Sequence, residues 1–337
     1  MHIIYRGQNV DLDKLLAEIL DKKRADIYHP WFYTYCGKLT SPSQVDRYVR
    51  MRRTIWRTAG IDIAGKRILD AGGGFGINAL LMALMGAAEV HSLDIHRGMI
   101  GTCKTYLAKL PFSVPVSPLL SDVAYLPYES NSFDIVISIE AISHYHEVDR
   151  FLAEAARVLR PGGALVVVDT NNGNNVFVRR KVRAIWTLFE SGPPGSIPGH
   201  TVERPFITKR RDIAQKNFPT LSAAELDMLA RGTSGLWGDE LLHTIRYYIN
   251  DGVVPQRFYR GGSPIDPLNG VYIEYLFDPL QLGRDMECHG LTSTVHSYFG
   301  GARGGILSAA NQVLSVAALS PLTLKLAQGF IIAGRKR

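Results

Sequence analysis

The residues that could do chemistry begin at "ILDAGGGFG", positions 68 to 76, where an apolar run ends on Asp70 and continues through Gly72, Gly74 and Gly76. Glycines spaced by two let a backbone come close to a bound molecule. A phosphate-binding P-loop is excluded, because no Lys-Ser or Lys-Thr follows them. The dinucleotide fingerprint fails at its third small residue, which here is Ile77. A carboxylate at Asp70 would repel a pyrophosphate and favours a cation such as an ammonium group. The next predicted strand ends on Asp94, about twenty residues further on, where an acid can accept both hydroxyls of a ribose. Together these residues call for a nucleoside that carries an amino acid in place of phosphates. Two histidines, His144 and His146 in "SHYHEV", follow a later strand at the edge where open parallel sheets bind ligands.

The elements that must hold these residues follow from periodicity. From Lys66 short apolar runs alternate with helical stretches: "RILDAG" as strand, "INALLMALMGA" as helix, "EVHSLDIH" as strand, "MIGTCKTYLAKL" as helix and "VSPLLSD" as a short strand. "FDIVISIEAIS" (strand), "EVDRFLAEAARVLR" (helix, stopped by Pro161 and Gly162) and "ALVVVDTN" (strand) complete the series. This alternation predicts a doubly wound, mostly parallel sheet with helices on both faces. Before it, residues 11 to 25 and 41 to 59 read as helices, the second opened by Ser41, Pro42 and Gln44 as a capping box. Its Val45, Tyr48, Val49, Ile55 and Trp56 form an apolar face, opposite Arg47, Arg50, Arg53 and Arg57. After Asn175 the rhythm breaks into a Gly-, Pro-, Arg- and aromatic-rich segment with helices expected at 222 to 231 and 238 to 250. "LTSTVHSYF" and "GFIIAGRKR" read as two last strands joined by an apolar helical connection around 304 to 328.

"DAGGGFG" resembles the first motif of the class I S-adenosylmethionine-dependent methyltransferases, acid-x-Gly-x-Gly-x-Gly. The resemblance extends over about residues 66 to 172. It implies S-adenosyl-L-methionine as cofactor, a Rossmann-like seven-stranded methyltransferase fold, and a cofactor site built on Asp70, Gly72, Gly74, Gly76 and the ribose acid Asp94 with its neighbour Ile95. It further implies an adenine-side acid, Asp122 in "LLSDVAYLP" with Val123 beside it, while "FDIVISIEAISHYHEV" matches the fourth-strand motif and Glu140 on it faces the cofactor or packs at the strand end. The domain plan expected is an N-terminal helical lid over 1–60, a cofactor-binding core over 61–172, an inserted mainly helical cap for acceptor selection over 173–285, and last strands over 286–337.

Methyl transfer from a sulfonium is an in-line displacement, so holding the acceptor close and excluding water is the first requirement. A hydroxyl acceptor also needs a base, for which His144 and His146 are the candidates. Oxygen is the acceptor atom expected, before nitrogen or carbon. Two rival readings stay open: a nicotinamide-dependent dehydrogenase or epimerase on the same sheet, and a scaffold that binds the cofactor without catalysis. There is no H-E-x-x-H or paired C-x-x-C, so no metal site is expected.

The chain of 337 residues carries a net charge of +7, a modest excess for its length. The basic run Arg179, Arg180, Lys181 and Arg183, with Lys209, Arg210 and Arg211, suits an anionic, sugar-linked or lipid-like small-molecule acceptor. Interleaved acids and the lack of an RNA-binding module argue against nucleic acid. The three cysteines are too scattered for a disulfide framework, and the N-terminus lacks the apolar core of a secretory signal, so a cytoplasmic location is expected. No run reaches the roughly 18 apolar residues of a membrane span, though peripheral membrane contact through the 304–328 connection stays open, as does a homodimer.

Overall fold

Five short apolar runs between residues 67 and 169 form the parallel heart of the sheet in the computed structural model, which describes residues 1–21, 27–197, 200–256, 263–299 and 313–337. In chain order the N-terminal elements are β1 (His2–Tyr5), β2 (Gln8–Asp11), α1 (Leu12–Ile19), α2 (Trp31–Cys36) and α3 (Pro42–Thr58). The core continues with β3 (Arg67–Ala71), α4 (Ile77–Leu84), β4 (Glu89–Asp94), α5 (Arg97–Leu107), β5 (Val116–Leu120), β6 (Phe133–Ile139), α6 (Val148–Val158) and β7 (Leu159–Asp169). A separate series follows: α7 (Val176–Ser191), β8 (Gly195–Ile197), β9 (His200–Val202), α8 (Phe206–Asn217), α9 (Ala223–Gly232) and α10 (Gly238–Asp251). The chain ends with α11 (Pro279–Cys288), β10 (Leu291–Tyr298) and β11 (Gly329–Lys336).

The seven-stranded sheet has the order β10-β11-β7-β6-β3-β4-β5. Pairs β3/β4, β3/β6, β4/β5 and β6/β7 are parallel, whereas β11 runs antiparallel to both β7 and β10. Consecutive residues of the central strands are buried, which requires cover on both faces: Ile68 and Leu69 in β3, Val136 and Ile137 in β6, and Leu165, Val166, Val167 and Val168 in β7. Pro118 lacks an N–H and sits in β5, the edge strand, where one unmade ladder bond costs least.

The chain divides into two compact units, one of residues 1–170 with 279–337 and one of residues 171–278. In the second, Ala214, Leu226, Leu229, Leu236, Leu241 and Ile245 form a small apolar core. Buried Arg210 donates to the Ala230 carbonyl (2.8 Å) and forms an ion pair with buried Glu190. Lys209 pairs with Asp266 (2.7 Å) and Arg211 with Asp227 (2.8 Å). The α8 part of the basic run expected to receive an anion is therefore engaged by acids of its own unit, which leaves the exposed Arg179, Arg180, Lys181 and Arg183 on α7.

Several local expectations are corrected. The N-terminus is not helical throughout: β1 and β2 form a hairpin whose two-residue turn holds Arg6 at φ 47° and Gly7 at φ 79°. The helix expected over 11–25 is α1, ending at Ile19, and residues 22–26 lie outside the described residues. Ser41 makes no side-chain capping bond to α3, its hydroxyl lying instead against that of Ser43 (3.1 Å); a complete capping box is formed by Ser222 with Glu225 on α9. Pro161 and Gly162 do not follow a helix end directly, because β7 already begins at Leu159 and takes them in with a shift of register against β6. Helices α7 and α8 lie beyond the helices read from the sequence, and "SGPPGSIPGH" contributes the β8/β9 hairpin. The 304–312 part of the apolar connection lies outside the described residues, and its remainder holds helical residues at 313–314 and short helical turns at Ala317–Leu319 and Ser320–Thr323. Among the described residues no helix is long and apolar enough to cross a membrane.

Candidate cofactor site

Parallel strands β3, β4 and β6 lie side by side, so their carboxyl ends bring Asp70, Asp94 and Glu140 to one edge of the sheet. The turn after β3 has Gly72, Gly74 and Gly76 at φ 68°, 56° and 71°, a left-handed path that suits glycine. Space also forbids a side chain at Gly72: a Cβ there would lie 2.6 Å from the Ala141 Cβ and 2.8 Å from the Tyr145 hydroxyl.

Backbone bonds fix this turn to the neighbouring strand. The Gly73 N–H donates to the Leu93 carbonyl (2.9 Å), and the Gly74 N–H donates to Asp94 Oδ2 (3.0 Å). Asp94 Oδ1 accepts from the His96 N–H (2.8 Å). Burial raises the Asp94 pKa and these two amides pull it down. Each oxygen keeps a lone pair for a further donor.

Asp70 is in a different state. It is 2% exposed, its Oδ1 accepts from the Asn78 amide (3.2 Å), and its Oδ2 is buried without a hydrogen-bond partner among the described residues. Burial pushes its pKa up to about 7, against the opposing pull of Asn78 and Arg52. A buried carboxylate with one unmet oxygen fits a cationic donor better than it fits an apolar core. The Ser92 hydroxyl is likewise buried and unpartnered among the described residues, and a Cβ on Gly73 would meet it at 2.3 Å and Asp70 Oδ2 at 2.8 Å.

The rest of the edge is built after β6. Glu140 is exposed, holds φ 55° and accepts from the Thr170 hydroxyl (3.0 Å). His144 and His146 are both exposed and flank buried Tyr145. His144 is within electrostatic reach of Asp94. At the end of β5, Asp122 accepts from the Ala124 N–H (2.9 Å), with Val123 buried and Ile95 exposed.

Two groups of residues were missed by sequence reasoning. Tyr145 supports the glycine turn: its hydroxyl donates to the Ala71 carbonyl (2.8 Å) and lies 2.9 Å from the Ser138 hydroxyl. Its position between two histidines hid it. Around Phe75 in the turn stand Phe32 (ring centroids 5.1 Å apart), His29 (6.2 Å) and Tyr35 (6.3 Å), which join α2 to the glycine turn. Gly98 leaves room for the His29 ring, which a Cβ would meet at 2.5 Å. The signal for this contact was the aromatic density of "YHPWFYTY", which core packing explains equally well.

Residues 69–167 match the family model described as "Methyltransferase domain". The chain is 36% identical over 119 residues to phthiotriol/phenolphthiotriol dimycocerosates methyltransferase 1 of Mycobacterium ulcerans, a match covering 34% of this chain and 42% of that protein. It is 31% identical over 137 residues to methyltransferase GfsG of Streptomyces halstedii, covering 40% and 49%. The chain thus spans under half the length of these relatives. An S-adenosylmethionine-dependent methyltransferase structure from Mesorhizobium loti aligns at TM-score 0.45 and 15% identity, over 85% of this chain and 98% of that one. The matched stretch takes in the acid and glycine turn at β3 and the acid at the end of β4 and runs on into β7, so residues 69–167 are similar to a methyltransferase domain.

Proposed function

We propose that this protein methylates a hydroxyl oxygen of a small-molecule acceptor and that a histidine of the turn after β6 serves as base. The observation that carries the reading is the half-satisfied Asp70 beside a glycine turn tied to Asp94, at the edge that also bears His144. Bound S-adenosylmethionine supplies an electrophilic methyl group on a sulfonium centre. Asp70 offers Oδ2 to the ammonium of the cofactor's amino acid, and Gly72, Gly74 and Gly76 allow the backbone to lie against it. Asp94 keeps its two amide bonds and accepts the ribose hydroxyls, with Ile95 beside it. Asp122 and Val123 serve the adenine end, and Glu140 borders the cleft.

His144 is the stronger candidate base, because its exposed ring interacts electrostatically with Asp94. The name of the Mycobacterium ulcerans relative includes a triol, which supports a hydroxyl acceptor. Acceptor choice is assigned to residues 171–278, where a cleft of about 260 Å³ has Arg179, Arg183, Trp186 and Tyr275 among its lining residues and suits an anionic or aromatic group.

The test is turnover to S-adenosylhomocysteine across a panel of hydroxylated compounds. His144→Ala is expected to lower kcat by about 10²- to 10⁴-fold, with cofactor affinity within about threefold of wild type. His146→Ala is expected to stay within about tenfold in kcat. A larger loss in His146→Ala moves the base to that residue, and no loss in either leaves positioning alone. Binding without turnover of any acceptor would favour a non-catalytic scaffold.

A further inference from the structure

Helix α7 carries Arg179, Arg180, Lys181 and Arg183 close together, and residues 176–189 of the helix contain no acid. Arg179 closes its first turn, at the end where the backbone dipole opposes a cation. Arg183 stands one turn further along the same face, a spacing at which like charges repel. Among the described residues no carboxylate pairs with either guanidinium, and Arg179 makes one long bond to the Gly173 carbonyl (3.4 Å). The usual supports of an arginine on a helix surface are an acid one turn away or a place in the last turn. Neither arginine has them.

Both side chains line the cleft of about 260 Å³ that lies wholly within residues 171–278. Its aromatic walls are fixed from behind. Trp186 is buried and donates its indole N–H to the Glu274 carbonyl (2.8 Å), which leaves its ring face as an apolar surface, and the Tyr275 ring rests on Tyr272 (centroids 4.7 Å apart). Gly173 and Phe277 tie the cleft's edges together: the Gly173 N–H donates to the Phe277 carbonyl (2.7 Å), and the Phe277 N–H donates to the Asn171 carbonyl (3.0 Å). A Cβ on Gly173 would lie 2.7 Å from that same Phe277 oxygen. Asp278 also lines the cleft, with its Oδ1 accepting from the Asn174 amide (3.2 Å), so two guanidiniums stand against one carboxylate. Spare positive charge therefore borders flat apolar faces. A cavity of roughly 150 Å³ takes one benzene ring, so a volume of about 260 Å³ matches one ring with one substituent rather than a nucleotide.

We propose that this cleft binds a single aromatic ring bearing an oxyanion, a carboxylate or a phosphate, with Arg179 and Arg183 on the anion and the ring against Trp186 and Tyr275. The bound anion offsets both the repulsion between the arginines and their unfavourable place on the helix. Guanidinium groups suit either oxyanion, which each can engage with two parallel N–H donors. The proposal rests on the assignment of acceptor choice to residues 171–278 and narrows the acceptor to a molecule that is anionic and aromatic at once. No bond is made or broken in the cleft. Arg179 and Arg183 act as specificity-determining residues.

The test is calorimetric titration of the full chain with phenyl phosphate, benzoate, inorganic phosphate, acetate and phenol. At least one of the two aryl anions should bind about tenfold or more tightly than inorganic phosphate, acetate or phenol, and the tighter one identifies the oxyanion. Arg179→Gln and Arg183→Gln should each weaken that aryl anion about fivefold or more and leave phenol and S-adenosylhomocysteine within about twofold. Arg231→Gln makes the same charge change on α9, at a position that does not line the cleft, and should leave every affinity within about twofold. Ligand-free melting temperatures of Arg179→Gln and Arg183→Gln should match or exceed that of wild type, because each removes a cation with no acid beside it. Failure of both aryl anions to bind would overturn the proposal, as would equal weakening by Arg231→Gln or a large fall in the melting temperature of Arg183→Gln. Turnover separates this proposal from the acceptor reading. Preference for hydroxybenzoate over phenol, lost through KM in Arg183→Gln, would support both. Transfer to neutral hydroxyl compounds without binding of either aryl anion would overturn the cleft assignment alone. Arginine-dependent binding of an aryl anion without transfer to any hydroxylated compound would support the cleft's specificity and overturn the acceptor reading.

Discussion

Gly72→Ala is expected to destabilise the protein by about 3 kcal/mol, while Gly74→Ala two residues away costs about 1 kcal/mol. Both glycines belong to the same motif and both have positive φ, 68° and 56°. The left-handed conformation alone costs an alanine about 1 kcal/mol at either site. The difference lies in what a methyl group meets. At Gly72 it comes within 2.6 Å of the Ala141 Cβ and 2.8 Å of the Tyr145 hydroxyl, whereas at Gly74 its nearest neighbour is the Met99 sulfur at 3.7 Å. Tyr145 cannot move freely, because its hydroxyl is bonded to the Ala71 carbonyl and lies against Ser138. Overpacking against such neighbours adds about 1–3 kcal/mol. Urea unfolding followed by circular dichroism measures both variants, and equal losses would show that the turn relaxes around Gly72.

The second large effect is expected at Asp70, with opposite signs for folding and binding. Burial raises the Asp70 pKa to about 7 in the ligand-free protein, well above the value of an unfolded carboxyl group. Between about pH 4 and pH 7 the folded state then binds more protons than the unfolded state, so this group makes stability fall as pH rises. Above pH 7 the cost is complete and constant. Asp70→Asn removes the charge and should raise the stability of the ligand-free protein by roughly 2 kcal/mol at pH 8 and by little at pH 5. The same substitution should weaken S-adenosylhomocysteine at least about tenfold at pH 8. Wild-type affinity should rise up to about tenfold between pH 6 and pH 8, since the ammonium selects the ionised carboxylate, while the variant stays flat over this range. Thermal melts and calorimetry at three pH values separate the two effects. A variant less stable than wild type at pH 8 would show that the ionised Asp70 holds the fold together.

The strands of the core were legible because each is a short run with apolar residues bounded by a helix or a polar turn, and most of the parallel crossovers repeat that signal. The acids proposed for the cofactor site stand out for the same reason: Asp70 and Asp94 are the polar residues that close apolar strands. The insertion was harder to read. In α7 the buried residues are Val182, Ile185 and Trp186, with Glu190 one further turn on, interspersed with arginines and a lysine. Charge on the exposed face hid the period, and the buried acid Glu190 depends on Arg210, 20 residues later. The β1/β2 hairpin was missed because its turn places Arg6 at a positive φ where Asn, Asp or Gly gives the usual signal.

Tyr145 illustrates a different limit. Tyr145 reaches back to Ala71 across the sheet edge, a contact between residues 74 apart that no local spacing encodes.

The central claim is that the turn at Gly72 to Gly76, tied to Asp94, receives an adenosyl amino acid. The most direct measurement is calorimetric titration of the whole chain with S-adenosylmethionine, S-adenosylhomocysteine and NAD, repeated on Asp94→Ala. Micromolar binding of the first two, lost in Asp94→Ala, and no binding of NAD is the predicted result. Binding of NAD alone would contradict it and return the sheet edge to a nicotinamide-dependent enzyme.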